Sequence, residues 1–209
     1  MAIEIVFAHK DFVVIDKPAG LSVHKDQQEM GLTQMLAQQL NVPQVWLVHR
    51  LDKVTSGLLI LALNAEAAAA LSALFAAHQI GKTYLALSDR KPKKKQGLIV
   101  GDMQKARAGA WKLCHSRENP AITRFTSHSL QAGLRLFVLK PQTGKTHQLR
   151  VAMKSLGSPI LGDQLYAGTD ADRVYLHAYQ LQFCYQQQNF LIEKLPTVGV
   201  HWAKVRSFF

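Results

Sequence analysis

Val48-His49-Arg50-Leu51-Asp52-Lys53-Val54-Thr55-Ser56-Gly57 runs straight into Leu58-Leu59-Ile60-Leu61-Ala62-Leu63. An unbroken apolar run of strand length, bounded by turn residues, reads as a strand covered on both faces. Thr55-Ser56-Gly57 reads as the turn ahead of it, with Gly57 free to take backbone angles that other residues avoid. One carboxylate, Asp52, is thereby set at the mouth of a core strand, with Arg50 two residues before it. An acid beside an arginine often forms a local ion pair. A rigid strand behind a charged turn is also how a reactive group is held still.

Working outward, Ile3, Ile5 and Phe7 alternate as in a half-buried strand. Phe12-Val13-Val14-Ile15 predicts a second strand, ended by the turn Asp16-Lys17-Pro18-Ala19-Gly20. Leu32, Met35, Leu36 and Leu40 follow helical spacing, and Pro43 closes that helix. Asn64 is a good N-cap for an Ala-rich helix running to Ile80, with Gly81 as its stop. Lys82-Thr83-Tyr84-Leu85-Ala86-Leu87 alternates, with Leu85 and Leu87 on one face and Lys82 and Tyr84 on the other. Strand-like runs between polar turns fill Leu98 to Leu139 and predict antiparallel pairing. Leu149, Ala152, Met153 and Leu156 mark a helix stopped by Gly157 and Pro159, with Arg150 flanking its buried face. His177 reads as a core histidine, and Trp202, Phe208 and Phe209 as packing residues.

The 209 residues carry 25 Lys and Arg against 14 Asp and Glu, a formal charge of +11. Such an excess favours a polyanionic partner, most simply nucleic acid. Arg90-Lys91-Pro92-Lys93-Lys94-Lys95 concentrates five cations in six residues, a solvated loop or a phosphate contact. Lys105, Arg107 and Lys112 add charge around Trp111, which suits an RNA-facing sheet. Cys114 and Cys184 have neither metal spacing nor the density of a secreted scaffold, so both are expected as free thiols. Without a signal-like N-terminus or a membrane-length apolar run, the expected location is cytoplasmic and no membrane partner is expected.

His49-Arg50-Leu51-Asp52 followed by Thr55-Ser56-Gly57 resembles the catalytic signature of the RluA-type RNA pseudouridine synthases. Lys17-Pro18-Ala19-Gly20-Leu21 is similar to that family's first motif, and Gly144-Lys145-Thr146-His147-Gln148-Leu149-Arg150 to its third. Together the motifs span about residues 10–180 in the family's order. Ala152 and Ser158 depart from it, standing where many members carry histidine. The resemblance implies an α+β fold: a mixed, largely antiparallel central sheet flanked by helices, with the active cleft across its middle. It implies one catalytic domain over residues 1–209, with no S4-like RNA-binding domain ahead of it, acting as a monomer. The implied activity is isomerisation of uridine to pseudouridine in ribosomal or transfer RNA, without cofactor or metal. Asp52 is the catalytic carboxylate so implied, Tyr84 the tyrosine against the base, and Arg150 the cation keeping Asp52 ionised. His49, Arg50, Thr55, Lys82 and Leu149 are expected at the substrate, and Lys93, Lys94, Lys95, Lys105 and Arg107 at the RNA backbone.

Other chemistries fit less well. Gly144-Lys145-Thr146 would end a phosphate-binding loop only with glycine five positions earlier, where Leu139 stands. No two of the nine histidines lie within four positions, so local metal-ligand spacing is absent. A glycosidase would need a second placed carboxylate, and Asp163 is the only other acid in a recognisable motif. The competitor from another class is a non-catalytic RNA-binding protein with the same fold; an assay for uridine isomerisation separates the two.

Overall fold

A computed structural model describes residues 2–23 and 31–209. In chain order its elements begin with strands β1 (Glu4–Ala8) and β2 (Phe12–Lys17), helix α1 (Leu32–Leu40), and strands β3 (Trp46–Leu47) and β4 (Ser56–Ala62). Helix α2 (Ala65–Ala76) leads into β5 (Gly81–Ser88), β6 (Gln96–Gly101), β7 (Met103–Lys105), β8 (Trp111–Leu113), β9 (Ala121–Gln131) and β10 (Leu134–Pro141). Helix α3 (Gln148–Ser155), strands β11 (Leu176–Tyr185) and β12 (Gln188–Glu193), and the short α4 (Ala203–Arg206) complete it. The α+β class with largely antiparallel strands is as expected. The contacts group the chain into two compact units.

The first unit comprises the chain to Gly81 and Ala178–Leu195. Its strands run β1-β2-β4-β11, with β12 antiparallel to β11. β4 is buried along its whole length, as its apolar run requires. Gly57 sits at φ +111, and a Cβ there would stand 2.3 Å from the Ala178 carbonyl oxygen, so the close approach of β11 demands glycine. The turn lies earlier than expected, and the strand begins two residues sooner. Thr55 N–H donates to Asp52 O at 3.0 Å, and Ser56 and Gly57 already belong to the strand. Phe12, fully buried, is the hub of an aromatic core, with Phe183, Tyr185 and Phe190 at 5.7, 5.6 and 5.4 Å. Each such edge-to-face pair adds about 0.5–1.5 kcal/mol beyond its buried area.

Two expectations in this unit need correction. Asn64 does cap α2, accepting from Ala67 N–H at 2.8 Å, but the helix ends at Ala76 rather than Ile80. His78 takes the left-handed conformation and Gly81 opens β5, because Ile80 is drawn into the core. Ile5 is half exposed, since a bulge between Ile5 and Phe7 breaks the alternation of β1.

The second unit comprises Lys82–His177 and Pro196–Phe209. Its strands run β5-β10-β9-β6, antiparallel throughout. The basic segment around Trp111 is not part of that sheet. β7 and β8 form a separate antiparallel hairpin in which Lys105 faces Trp111. All of Gln148–Met153 in α3 is buried, so the helix is covered well beyond one apolar stripe. Trp202 is fully buried as expected, whereas Phe208 and Phe209 are exposed, Phe208 resting against the His128 ring at 5.0 Å.

Candidate active site

Asp52 is half-buried in a turn whose flanks, Leu51 and Thr55, are buried. Burial of both neighbours fixes the backbone on either side of the carboxylate. A second restraint comes from Lys17. Its side chain is fully buried, and its ammonium donates to the carbonyl oxygens of Pro18, Leu21 and Lys53 at 2.9, 2.9 and 3.3 Å. Gly20 N–H also donates to Lys53 O, at 2.7 Å. The turn after β2 is thus stapled to the residue beside Asp52. Bonds from a charged donor contribute roughly 1.5–3 kcal/mol each. The sequence places Lys17 in the turn after β2; it is instead the last residue of that strand. The available signal is an ammonium ending a largely apolar strand ahead of Pro18 and Gly20.

His49 and Arg50 differ in their surroundings. His49 Nε2 accepts from Ile60 N–H at 2.9 Å, and its ring stacks on Phe75 at 4.1 Å. It continues the β3–β4 ladder with a side chain, holding the turn to the strand behind it. Arg50 is exposed.

In the second unit, Lys82 and Tyr84 share the half-buried face of β5. The Lys82 ammonium donates to Thr143 O at 3.2 Å, and burial lowers its pKa from the usual 10.5. Thr143 opens the loop into α3, and Gln148 organises that loop. Gln148 Oε1 accepts from Thr143 Oγ1 and Lys145 N–H, while Nε2 donates to Ile122 O and Thr123 Oγ1. All four bonding positions of this buried amide are used.

Arg150 is buried rather than flanking. Its Nε and Nη2 donate to the two oxygens of Asp163, both at 2.8 Å. This bidentate pair uses two of the five guanidinium N–H groups and fixes the plane of the fork. The Tyr166 ring supports it, with the guanidinium carbon 5.0 Å from the ring centroid. Tyr166 Oη accepts from the Trp111 backbone N–H at 2.9 Å and is hydrogen-bonded to His147 Nδ1 at 2.7 Å. His147 holds the left-handed conformation at the start of α3. Leu149 is buried beside Arg150 in the same helix. Asp163, Tyr166 and Gln148 had no assigned part in the site. In the sequence Gln148 stands inside the third motif, and Asp163 and Tyr166 follow it within sixteen residues of Arg150.

A profile of the RNA pseudouridylate synthase family matches residues 11–155, spanning β2 to the end of α3. The chain belongs to the RNA pseudouridylate synthase family. This synthase is 66% identical over 210 residues to an uncharacterized RNA pseudouridine synthase of Haemophilus influenzae, covering 100% of this chain and 94% of that one. It is 35% identical over 187 residues to the dual-specificity RNA pseudouridine synthase RluA of Escherichia coli, covering 85% of this chain and 84% of the relative. The human RNA pseudouridylate synthase domain containing 4 shares its fold with TM-score 0.79 at 27% identity, over 97% of this chain and 93% of that structure. The RluA-type resemblance and the isomerase activity on RNA are thereby borne out.

The cations of the synthase fall on separate segments. Lys93, Lys94 and Lys95 are exposed on a loop whose backbone is anchored, Lys93 N–H to Leu156 O at 2.9 Å and Ser127 N–H to Lys95 O at 2.7 Å. Lys105 and Arg107 belong to the β7–β8 hairpin and its tip. Among the described residues, no three His, Cys, Asp or Glu side chains cluster as a metal site, and no helix is long and apolar enough to cross a membrane.

Proposed function

We propose that Asp52 is the catalytic carboxylate of this pseudouridine synthase, acting on a uridine swung out of a structured ribosomal or transfer RNA. The observation that carries the reading is the way Asp52 is held: a turn between two buried residues, at the head of a fully buried strand, tied down by a buried ammonium. Such support restrains a reacting group to within a fraction of an ångström. Isomerisation breaks the N1–C1′ bond, turns the uracil, joins C5 to C1′, and moves the C5 proton off the ring while N1 gains one. Nothing is consumed, so a carboxylate, a cation and an aromatic wall suffice.

Tyr84 is the proposed aromatic against the uracil and a group for moving the C5 proton. Arg150, its fork oriented by Asp163 and Tyr166, is the proposed cation that favours an ionised catalytic carboxylate. Arg50, exposed beside Asp52, is proposed to fill the space left by the flipped nucleotide or hold its phosphate. Lys82, Thr55 and Leu149 are proposed to shape the substrate's surroundings, and His49 to do so through the backbone it supports. Flipping costs a few kcal/mol of lost stacking, and Lys93, Lys94, Lys95, Lys105 and Arg107 are proposed to offset it by phosphate contacts. Monomeric action in the cytoplasm belongs to the same reading.

The test is Asp52→Asn assayed on bulk unmodified RNA, following release of tritium from C5-labelled uridine. The variant is expected to keep fold and RNA binding and to lose turnover by at least about three orders of magnitude. Turnover near wild type removes Asp52 from the chemistry.

A further inference from the structure

A cavity of about 470 Å³ opens beside the β7–β8 hairpin, and none of Asp52, Tyr84 and Arg150 lines it. That size lies within the roughly 300–1,000 Å³ of small-molecule pockets. Its lining includes Asp102, Met103, Trp111, Glu118, Asn119 and Lys145. By strand alternation Met103, Lys105 and Trp111 share one face of the hairpin, and Lys105 Nζ stands 5.9 Å from the Trp111 ring centroid. Lys145 Nζ donates to Asn119 Oδ1 at 2.6 Å, which leaves the Asn119 amide nitrogen as a donor on the cavity wall. Asp102 accepts from Glu118 N–H and Asn119 N–H at 3.1 and 2.8 Å, so the 116–119 loop is built around its carboxylate.

The charges decide what fits. Two acids, Asp102 and Glu118, stand in the lining against one cation, Lys145, itself bonded to Asn119, so the lining disfavours a phosphate. A Ser116 hydrogen bond first, then the Glu118 and Asn119 amides and the Lys145 charge, outweigh burial and hold Asp102 below its usual pKa, so that repulsion persists at neutral pH. A neutral, planar, hydrogen-bonding ring suits an indole, a thioether and mixed polar groups. The location decides which ring. Trp111 N–H is bonded to Tyr166 Oη, whose ring lies under the Arg150 guanidinium, and α3 packs against β8.

We infer that this cavity receives an unpaired nucleobase neighbouring the target uridine, stacked on Trp111, while its phosphates stay outside with the hairpin cations. The inference rests on RNA being the substrate. It makes Trp111 a specificity-determining residue: only RNA with an unpaired base near the target fills the cavity. Because Trp111's backbone holds Tyr166, an occupied cavity also steadies the support of Arg150.

The experiment measures binding of a fluorescently labelled, single-stranded eight-nucleotide RNA containing one uridine, by anisotropy. A second oligonucleotide carries abasic sites on both sides of that uridine. Trp111→Ala is expected to weaken the intact oligonucleotide by about 5- to 150-fold, the factor carried by one base–aromatic stack. It is expected to leave the abasic oligonucleotide and the slope of log affinity against log salt unchanged. Trp111→Phe, which keeps a ring and the amide to Tyr166, is expected to restore most of the loss. Equal weakening on both oligonucleotides, a changed salt slope, no weakening, or no wild-type binding of the intact oligonucleotide overturns the inference. Tritium release from bulk RNA by the wild type is measured separately. Its absence would sink the pseudouridine synthase reading, whereas its presence beside a silent Trp111→Ala sinks only the cavity.

Discussion

Replacing Lys17 by Met tests whether the turn at Asp52 is held from below. Lys17 is fully buried and serves three carbonyl oxygens. Methionine fills similar space without donors. Lys53 O retains Gly20 N–H as a partner, so the oxygens losing this donor without that substitute are those of Pro18 and Leu21. An unsatisfied buried acceptor costs about 1–3 kcal/mol. Relief from burying an ammonium offsets part of that loss. The expected net destabilisation is about 2–4 kcal/mol, or roughly 4–16 °C in melting temperature for a chain of this size. The decisive readout is turnover measured well below the melting temperature. If the staple positions Asp52, kcat falls by at least tenfold while the affinity for RNA changes little. Urea midpoints give the stability term independently. An unchanged midpoint would refute the burial bookkeeping, and a lowered midpoint with wild-type kcat would refute the link between Lys17 and the catalytic turn.

Lys82→Met is expected to stabilise the fold at neutral pH, because burial lowers the folded-state pKa of Lys82 below 10.5. The charged form is penalised fully below that lowered value, and the penalty fades as pH rises toward 10.5, where the unfolded chain also loses its proton. The stability gap between variant and wild type should therefore shrink from pH 8 to 10.5 in urea titrations; a constant gap contradicts it. Asp163→Asn removes the carboxylate that holds the buried Arg150 fork through two hydrogen bonds and should cost about 3–5 kcal/mol by urea unfolding. A loss under 1 kcal/mol would mean that the fork is held by other contacts.

Local pattern alone was enough for several elements. The apolar run of β4, the alternation of β5, the Asn64 cap and the apolar positions of α3 are visible because strands and helices repeat every 2 and 3.6 residues. The family, too, was legible, since its motifs are short and local. What repeats locally can be read locally.

Charge placement could not be read that way. Lys17 reads as a turn residue because a lysine is normally solvated; the convergence of carbonyls from residues 18, 21 and 53 helps make its burial tolerable. Arg150 looked half exposed on its helix, but Asp163, thirteen residues on, lets it be buried. Trp111 read as part of a broad sheet, yet its hairpin stands apart and its amide is spent on Tyr166, fifty-five residues away. Sequence determined which segments are strands and helices and which family's motifs they carry. Tertiary structure decided which charges could leave water, because a buried ion is stable only beside partners that the chain brings from far along its length.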